Sequence, residues 1–139
     1  MSTCPCTSGK AFKACCGRYV FTNNQSVERT PAAKTPEQLM RSRFTAYALG
    51  GCGDYLLATW WPANATQLTS ESLSEKTYEW VRLDVLDKGQ KGNDGWVSFC
   101  AWFLDEAGNE QAMREKSSFK REQGRWYYVM GELSNSDAS

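Results

Sequence analysis

The chain contains no histidine. Imidazole is the side chain that ordinarily titrates near neutrality, so a His general base and His-ligated metal sites are excluded for these residues. A charge excess is missing too. Sixteen Lys+Arg balance sixteen Asp+Glu, so bulk charge selects no partner. No apolar run reaches the ~18 residues of a membrane-spanning helix, and no membrane partner is expected. The opening MSTCPCTSGK lacks the apolar core of a secretory signal, which predicts a cytoplasmic, reduced chain. What is present is ordinary for a globular protein: 139 residues, 41% of them apolar, with six Trp. That is enough for one modest domain and a small appendage. The neutral total hides a division. Residues 1–49 carry seven basic and two acidic side chains, a net +5, and the remaining ninety carry nine and fourteen, a net −5.

Six cysteines occur, and four of them fall in the stretch CPCTSGKAFKACCG. In a reducing compartment such a cluster reads as metal ligands; two disulfides or four free thiols are the alternatives. Cys4, Cys6, Cys15 and Cys16 offer the four soft donors of a closed, tetrahedral zinc site. Pro5 fixes the backbone between the first pair, and Gly9 permits a left-handed kink. Residues 10–16 predict one or two helical turns that close the site, with Gly17 as the stop. Lys10, Lys13 and Arg18 offset the negative charge of four thiolates around a dication. So short a segment buries too little to fold alone, and zinc binding of about 10–16 kcal/mol supplies the difference. Four protein ligands leave no open coordination position, so the metal is expected to be structural rather than catalytic. Cys52 and Cys100 lie among glycines or apolar residues and are expected to be buried, inert thiols. The spacing C-x-C-x8-C-C, with its SGK core, closely resembles the SEC-C motif over residues 4–17. That motif takes its name from the C-terminal tail of the SecA translocation ATPase. The resemblance implies zinc binding and a docking role toward partners, a chaperone among them.

Residues 20–35 are polar and read as a connecting segment draped over the next domain. A helix is predicted from Thr35, with Thr35 as N-cap, Pro36 at the first position and Gln38 completing a capping box; Gly50-Gly51 ends it. A second begins near Asp54, pairs Leu56 with Trp60 and Leu57 with Trp61, and stops at Pro62. Residues 63–70 read as a loop and 71–77 as a helical turn. The period then changes to two. In 79–87, Val81, Leu83 and Val85 share one face and Trp80, Arg82 and Asp84 the other. Residues 96–104 are apolar on both faces, as in a central strand. In 111–121, Met113, Glu115, Ser117 and Phe119 alternate with Arg114, Lys116, Ser118 and Lys120, and 125–133 is the last strand. Short turns between them predict an antiparallel meander, hence an α+β fold with helices covering one face of a curved four-stranded sheet. Residues 135–139 are expected to be a disordered tail.

Taken together, the cysteine motif, LMRSRFTAYALG, DYLLATWWP and GRWYYVMGE resemble the YchJ family of small bacterial proteins over nearly the whole chain. The resemblance implies a zinc-binding segment at 1–19, a connection at 20–35, and a cone shaped like nuclear transport factor two (NTF2) over 36–134. Because that family has no established activity, it implies architecture rather than a reaction. Family members tend to carry His where this chain has Trp61, and often another where it has Arg114; an Arg is common where it has Ser118. Chemistry dependent on those histidines is therefore not expected here.

Two functional readings follow. In the first, the protein is a non-enzymatic interaction module. Its zinc knuckle docks a protein or ribonucleoprotein partner, and the cone holds a second partner or a small ligand. Lys10, Lys13 and Arg18 could touch nucleic acid or the ribosome, although without interleaved aromatics they read as a solvated face. In the second, the cone is an isomerase- or dehydratase-like site. Glu115 supplies the carboxylate among apolar neighbours, and Tyr47 or Arg43, one helical turn apart, the polar partner. A structural ion pair from Glu115 to Arg41 or Arg43 is the competing assignment. Likewise Trp60, Trp61 and Trp80 read either as ligand-stacking rings or as core and rim packing. A surface Glu115, or a cone plugged by aromatic side chains, would remove the enzymatic reading.

Overall fold

The computed structural model describes residues 3–23, 31–76 and 78–133. The expected tail at 135–139 and the middle of the connecting segment, 24–30, lie outside the described residues.

Helix α1 (Pro36–Leu49) starts where the capping residues place it. The Thr35 hydroxyl accepts from the Gln38 amide at 3.1 Å, Pro36 opens the first turn, and Gly50 ends the helix at φ 73°. The Gln38 side chain does not return to Thr35. Its Oε1 accepts from the Lys34 amide at 2.8 Å and from the Tyr19 hydroxyl at 3.3 Å, which ties the preceding chain to the helix. The ends of the connecting segment also pack inward, with Phe21 edge-on to Tyr55 and Ala33 buried.

Helix α2 (Gly53–Ala58) is shorter than expected and ends before Trp60. Residues 59–61 leave the helix and pair with the last strand instead, Tyr128 N donating to Thr59 O at 2.8 Å and Trp61 N to Tyr128 O at 2.7 Å. The expected Leu–Trp helical pairs therefore do not form. A 3-10 turn follows at Pro62–Asn64, and α3 is a single turn, Ser70–Leu73.

Strands β1 (Glu79–Lys91), β2 (Asp94–Leu104), β3 (Glu110–Glu122) and β4 (Arg125–Leu133) form one antiparallel sheet in sequence order. Gln123 and Gly124, both at positive φ, make the tight β3–β4 turn. On β3 the expected inward row is observed: Met113, Glu115, Ser117 and Phe119 point toward α1. On β1 the expected alternation breaks. A bulge between Trp80 and Arg82 brings Trp80 onto the same face as Leu83 and Val85. Asp84 faces outward, accepting from Trp102 Nε1 at 3.0 Å and pairing with Arg82. The core lies between this concave face and the helices, around Leu39, Phe44, Leu56, Val97, Phe99 and Phe119.

Each open edge of the meander is engaged locally by another part of the chain, at one or two residues. The 59–64 segment lies along β4, where Asn64 Nδ2 donates to Val129 O at 2.8 Å. At the β1 edge the Thr7 hydroxyl accepts from Leu83 N at 3.1 Å and lies 3.1 Å from the Leu83 carbonyl.

The α2–α3 contact is close-packed at Gly53, where a Cβ would run into the Ser70 carbonyl and come 2.6 Å from Ser74 Oγ. Because the obstacle is backbone, Gly53→Ala is expected to cost about 1–3 kcal/mol by overpacking. A lower urea midpoint at unchanged m would show it; an unaltered midpoint would mean that the helices slide freely.

Candidate functional site

Two sites flank α1. The first is the cysteine cluster. Cys4 N donates to Lys10 O at 2.8 Å and Thr7 N to Cys4 O at 3.0 Å, folding the segment back on itself, with Thr7 and Gly9 at positive φ. Two 3-10 turns follow, Phe12–Ala14 and Cys16–Arg18. Gly17 lies inside the second turn rather than ending the first, and a Cβ there would press on Phe12. This folding brings the Sγ atoms of Cys4, Cys6, Cys15 and Cys16 within 4.8 Å of one another. Cys6 and Cys15 are 3.6 Å apart and Cys15 and Cys16 4.0 Å. A tetrahedron with metal–sulfur bonds of ~2.3 Å has edges of about 3.8 Å, so four sulfurs at these spacings can hold a metal ion. None forms a disulfide, and each is 7% exposed or less. Within the cluster, hydrogen bonding from Cys16, then Cys6, holds Cys4 down to about 3, while Cys4 and Cys6 push Cys16 well up. A thiolate at Cys4 is thus favoured and opposes a second at Cys16, a cost that a cation among the sulfurs would offset.

The cluster is docked on the domain. Cys4 Sγ lies 3.6 Å from Thr45 Oγ1, and Arg41 Nη1 donates to Cys6 O at 3.2 Å. Arg41 also holds Glu37 at 2.9 Å, and Lys88 reaches the same carboxylate from β1. Lys10, Lys13 and Arg18 remain exposed on the outer side.

The second site is a cavity of ≈ 220 Å³ between α1 and the sheet. It contains all three residues of the alternative site, Arg43, Tyr47 and Glu115. Arg43 is 3% exposed. Its Nη1 donates to Leu56 O at 2.9 Å and to Thr59 Oγ1 at 2.7 Å, and its guanidinium packs against the edge-on pair of Trp60 and Tyr128, 4.7 and 4.6 Å from ring centroids that are themselves 5.0 Å apart. Among the described residues no carboxylate forms an ion pair with it. The structure thus contradicts the ion pair expected between Glu115 and Arg41 or Arg43. Burial pushes the Arg43 pKa down, against the opposing influence of Tyr47, Tyr128, Tyr55 and Glu115. A guanidinium nevertheless stays protonated.

Glu115 is half-buried at the cavity wall, its Oε2 accepting from Ser117 Oγ at 2.7 Å. The carboxylate lies over Gly131, where a Cβ would overlap it and come 2.9 Å from the Tyr128 hydroxyl. Burial, then Glu115, pushes Tyr128 up to about 12; burial raises Tyr47 too, with Arg43 pulling the other way. Both phenols are neutral donors at pH 7. Phe44, Trp80, Phe99 and Met113 supply apolar wall.

The tryptophans divide. Trp60 and Trp80 line the cavity, whereas Trp61 packs against Tyr127 and lies under Lys120. Cys52 and Cys100 are buried as expected, and burial raises the Cys52 thiol pKa. Sequence reasoning did not single out Ser117, Tyr128 or Gly131 as site residues. The alternation of β3 signalled Ser117, but a bulge at Val129 sets the β4 register and hides the other two.

Comparison with known proteins agrees with this architecture. Residues 35–131 match the model of the YchJ middle NTF2-like domain, and residues 2–18 match the SEC-C motif. The chain is 43% identical to a UPF0225 protein of Serratia proteamaculans, covering 92% of this chain and 81% of that one. It is 40% identical to a UPF0225 protein of Chromobacterium violaceum, covering 94% and 92%. It is similar to the solution structure of a SEC-C motif containing protein from Rhodopseudomonas palustris, with TM-score 0.81 and 36% identity over 94% of this chain and 98% of that one. The chain belongs to the YchJ (UPF0225) family.

Proposed function

We propose that the protein is a small-molecule-binding cone whose N-terminal segment is held in place by a structural zinc ion. The observation that carries the first half is the cavity. It is open rather than plugged, and a buried cation and an oriented carboxylate both line it together with apolar walls. Such an arrangement is costly for a core and useful for a polar-ended ligand. Glu115, with Ser117 and Tyr128 beside it, is the group placed to accept a proton. Arg43 and Tyr47 are placed to hold a developing negative charge, as an isomerase or dehydratase requires.

Zinc is supported by the all-sulfur donor set and its spacing. Bound by Cys4, Cys6, Cys15 and Cys16, it would supply a cross-link. These residues pass that constraint to α1 through Thr45 and Arg41, and to β1 through Thr7. A docking role is favoured by a separate observation. The outer side of this segment is basic, and a cleft of ≈ 430 Å³ beside it is lined by Lys10, Arg18, Arg41 and Lys88, with Glu37 the one acid. That face suits an acidic surface of a protein or ribonucleoprotein partner.

Three outcomes are expected. Protein purified without added metal carries one zinc per chain by elemental analysis. Cys4→Ser together with Cys15→Ser removes it and lowers the melting temperature, and acidification of the intact protein releases it, because the ligands must be thiolates; a metal-free chain of equal stability would sink the assignment. For the cavity, fragment screening by NMR should give shifts that cluster on residues around Arg43 and Glu115. Ala101→Phe, which fills the space, should abolish them while leaving the fold intact; shifts that survive the plug would place binding elsewhere. For docking, Lys10→Glu with Arg18→Glu should lose partners that the parent protein retains in pull-downs. Identical partner sets count against it.

A further inference from the structure

We infer that the cavity takes a small carboxylic acid that also carries a hydrogen-bond donor, its carboxylate on Arg43 and its donor on Glu115. This rests on the cavity being a ligand site, and it names the chemistry of the occupant.

Two hydrogen bonds of Arg43 leave from Nη1 to Leu56 O and Thr59 Oγ1, and the Tyr47 phenol is a further hydrogen-bonding neighbour; all three partners are neutral. The guanidinium is held in orientation against the edge-on pair of Trp60 and Tyr128 rings. A fixed, desolvated guanidinium with no carboxylate ion pair among the described residues is matched by a planar anion, which a carboxylate meets with two parallel bonds. The neighbouring Tyr47 phenol, kept neutral by its raised pKa, adds a donor to the same end.

Glu115 has the opposite requirement. A carboxylate only accepts hydrogen bonds, and Ser117, with Tyr128 beside it, already supplies a donor to Oε2. The ligand group that meets it is therefore a hydroxyl or an N–H; a second carboxylate there would be repelled. Phe44, Trp80, Phe99 and Met113 line the same cavity and suit a flat apolar body. The volume, ≈ 220 Å³, is below the ~300–1,000 Å³ of sites for drug-sized molecules, so the body is small.

The probes are 4-hydroxybenzoate and, for a shorter span, 3-hydroxybenzoate. Benzoate lacks the donor, phenol lacks the carboxylate, and terephthalate carries a second one. Each is titrated against the intact zinc-loaded protein, following indole fluorescence and the NMR signals of the Trp60 and Trp80 side chains. At least one hydroxybenzoate is expected to bind about tenfold or more tighter than benzoate, phenol and terephthalate. Arg43→Lys is expected to remove most of the preference for acids over phenol; the parent protein with the five probes settles the matter should that variant fail to fold. Phenol binding in the cavity as tightly as the hydroxybenzoates overturns the acid assignment and leaves the cavity as a ligand site. Equal affinity for benzoate and the hydroxybenzoates overturns the donor requirement. If no probe moves either indole signal, the ligand class and the cavity reading fall together.

Discussion

A buried guanidinium, with no carboxylate ion pair among the described residues, is the costly feature around which this fold is arranged. Desolvating such an ion costs several kcal/mol, and α1 itself offers only the Tyr47 phenol to offset it. The neighbouring elements supply the partners. α2 stops early: Trp60 N turns back to Leu57 O instead of Leu56 O, so the Leu56 carbonyl is left to accept from Arg43. The chain then runs along β4 and brings Trp60 edge-on to Tyr128, so that the guanidinium packs against both rings of the pair. Helix termination, edge pairing and ring placement are thus three parts of one solvation shell, made of dipoles and π-faces rather than a counter-charge.

The same economy governs the sheet edges. A four-stranded meander leaves unpaired backbone at β1 and β4, a standing invitation to pair with another chain. Here each edge is met, locally, by a segment that builds a site. The 59–64 stretch pairs with β4 at Tyr128 and Val129 while placing Trp60, and the cysteine segment meets β1 at Leu83 through Thr7, a residue held at φ 60°. A non-glycine residue at positive φ carries strain that its surroundings must hold. The tight turn closed by Thr7 N donating to Cys4 O, with the Thr7 hydroxyl on Leu83, is what holds it. The cysteine segment is thus tied to an edge strand over seventy residues away in sequence.

Much of this was legible locally. Four close cysteines, the Thr35 cap with Pro36, the short turn between residues 121 and 125 and the alternation through Met113, Glu115, Ser117 and Phe119 are short-range signals, and each led to the right element. What could not be read depends on register or on long-range choice. A single bulge moves Trp80 from the outer face to the cavity, because a one-residue slip inverts a strand's faces. Periodicity favoured continuing α2 through Trp60, and tertiary pairing with β4 overrode it. Arg41 sits one residue from a position facing the cavity, yet its partners are Glu37 and Cys6, fixed by elements far apart in sequence. The room that Gly131 leaves for the Glu115 carboxylate appears only once β3 and β4 are aligned.

The two arginines show why the sites cannot be treated as separate. Arg41 and Arg43 are two residues apart, hence about 200° apart around the helix. Arg41 and Thr45 face the cysteines; Met40, Arg43, Phe44 and Tyr47 face the cavity. One fourteen-residue helix is therefore the shared wall of both. A helix gripped by the cysteine segment on one side and packed on the sheet on the other has little freedom to rotate or translate. Thr45 and Arg41 are carried on the same turns as Phe44 and Arg43, so a shift of α1 that loosened one site would displace the side chains of the other.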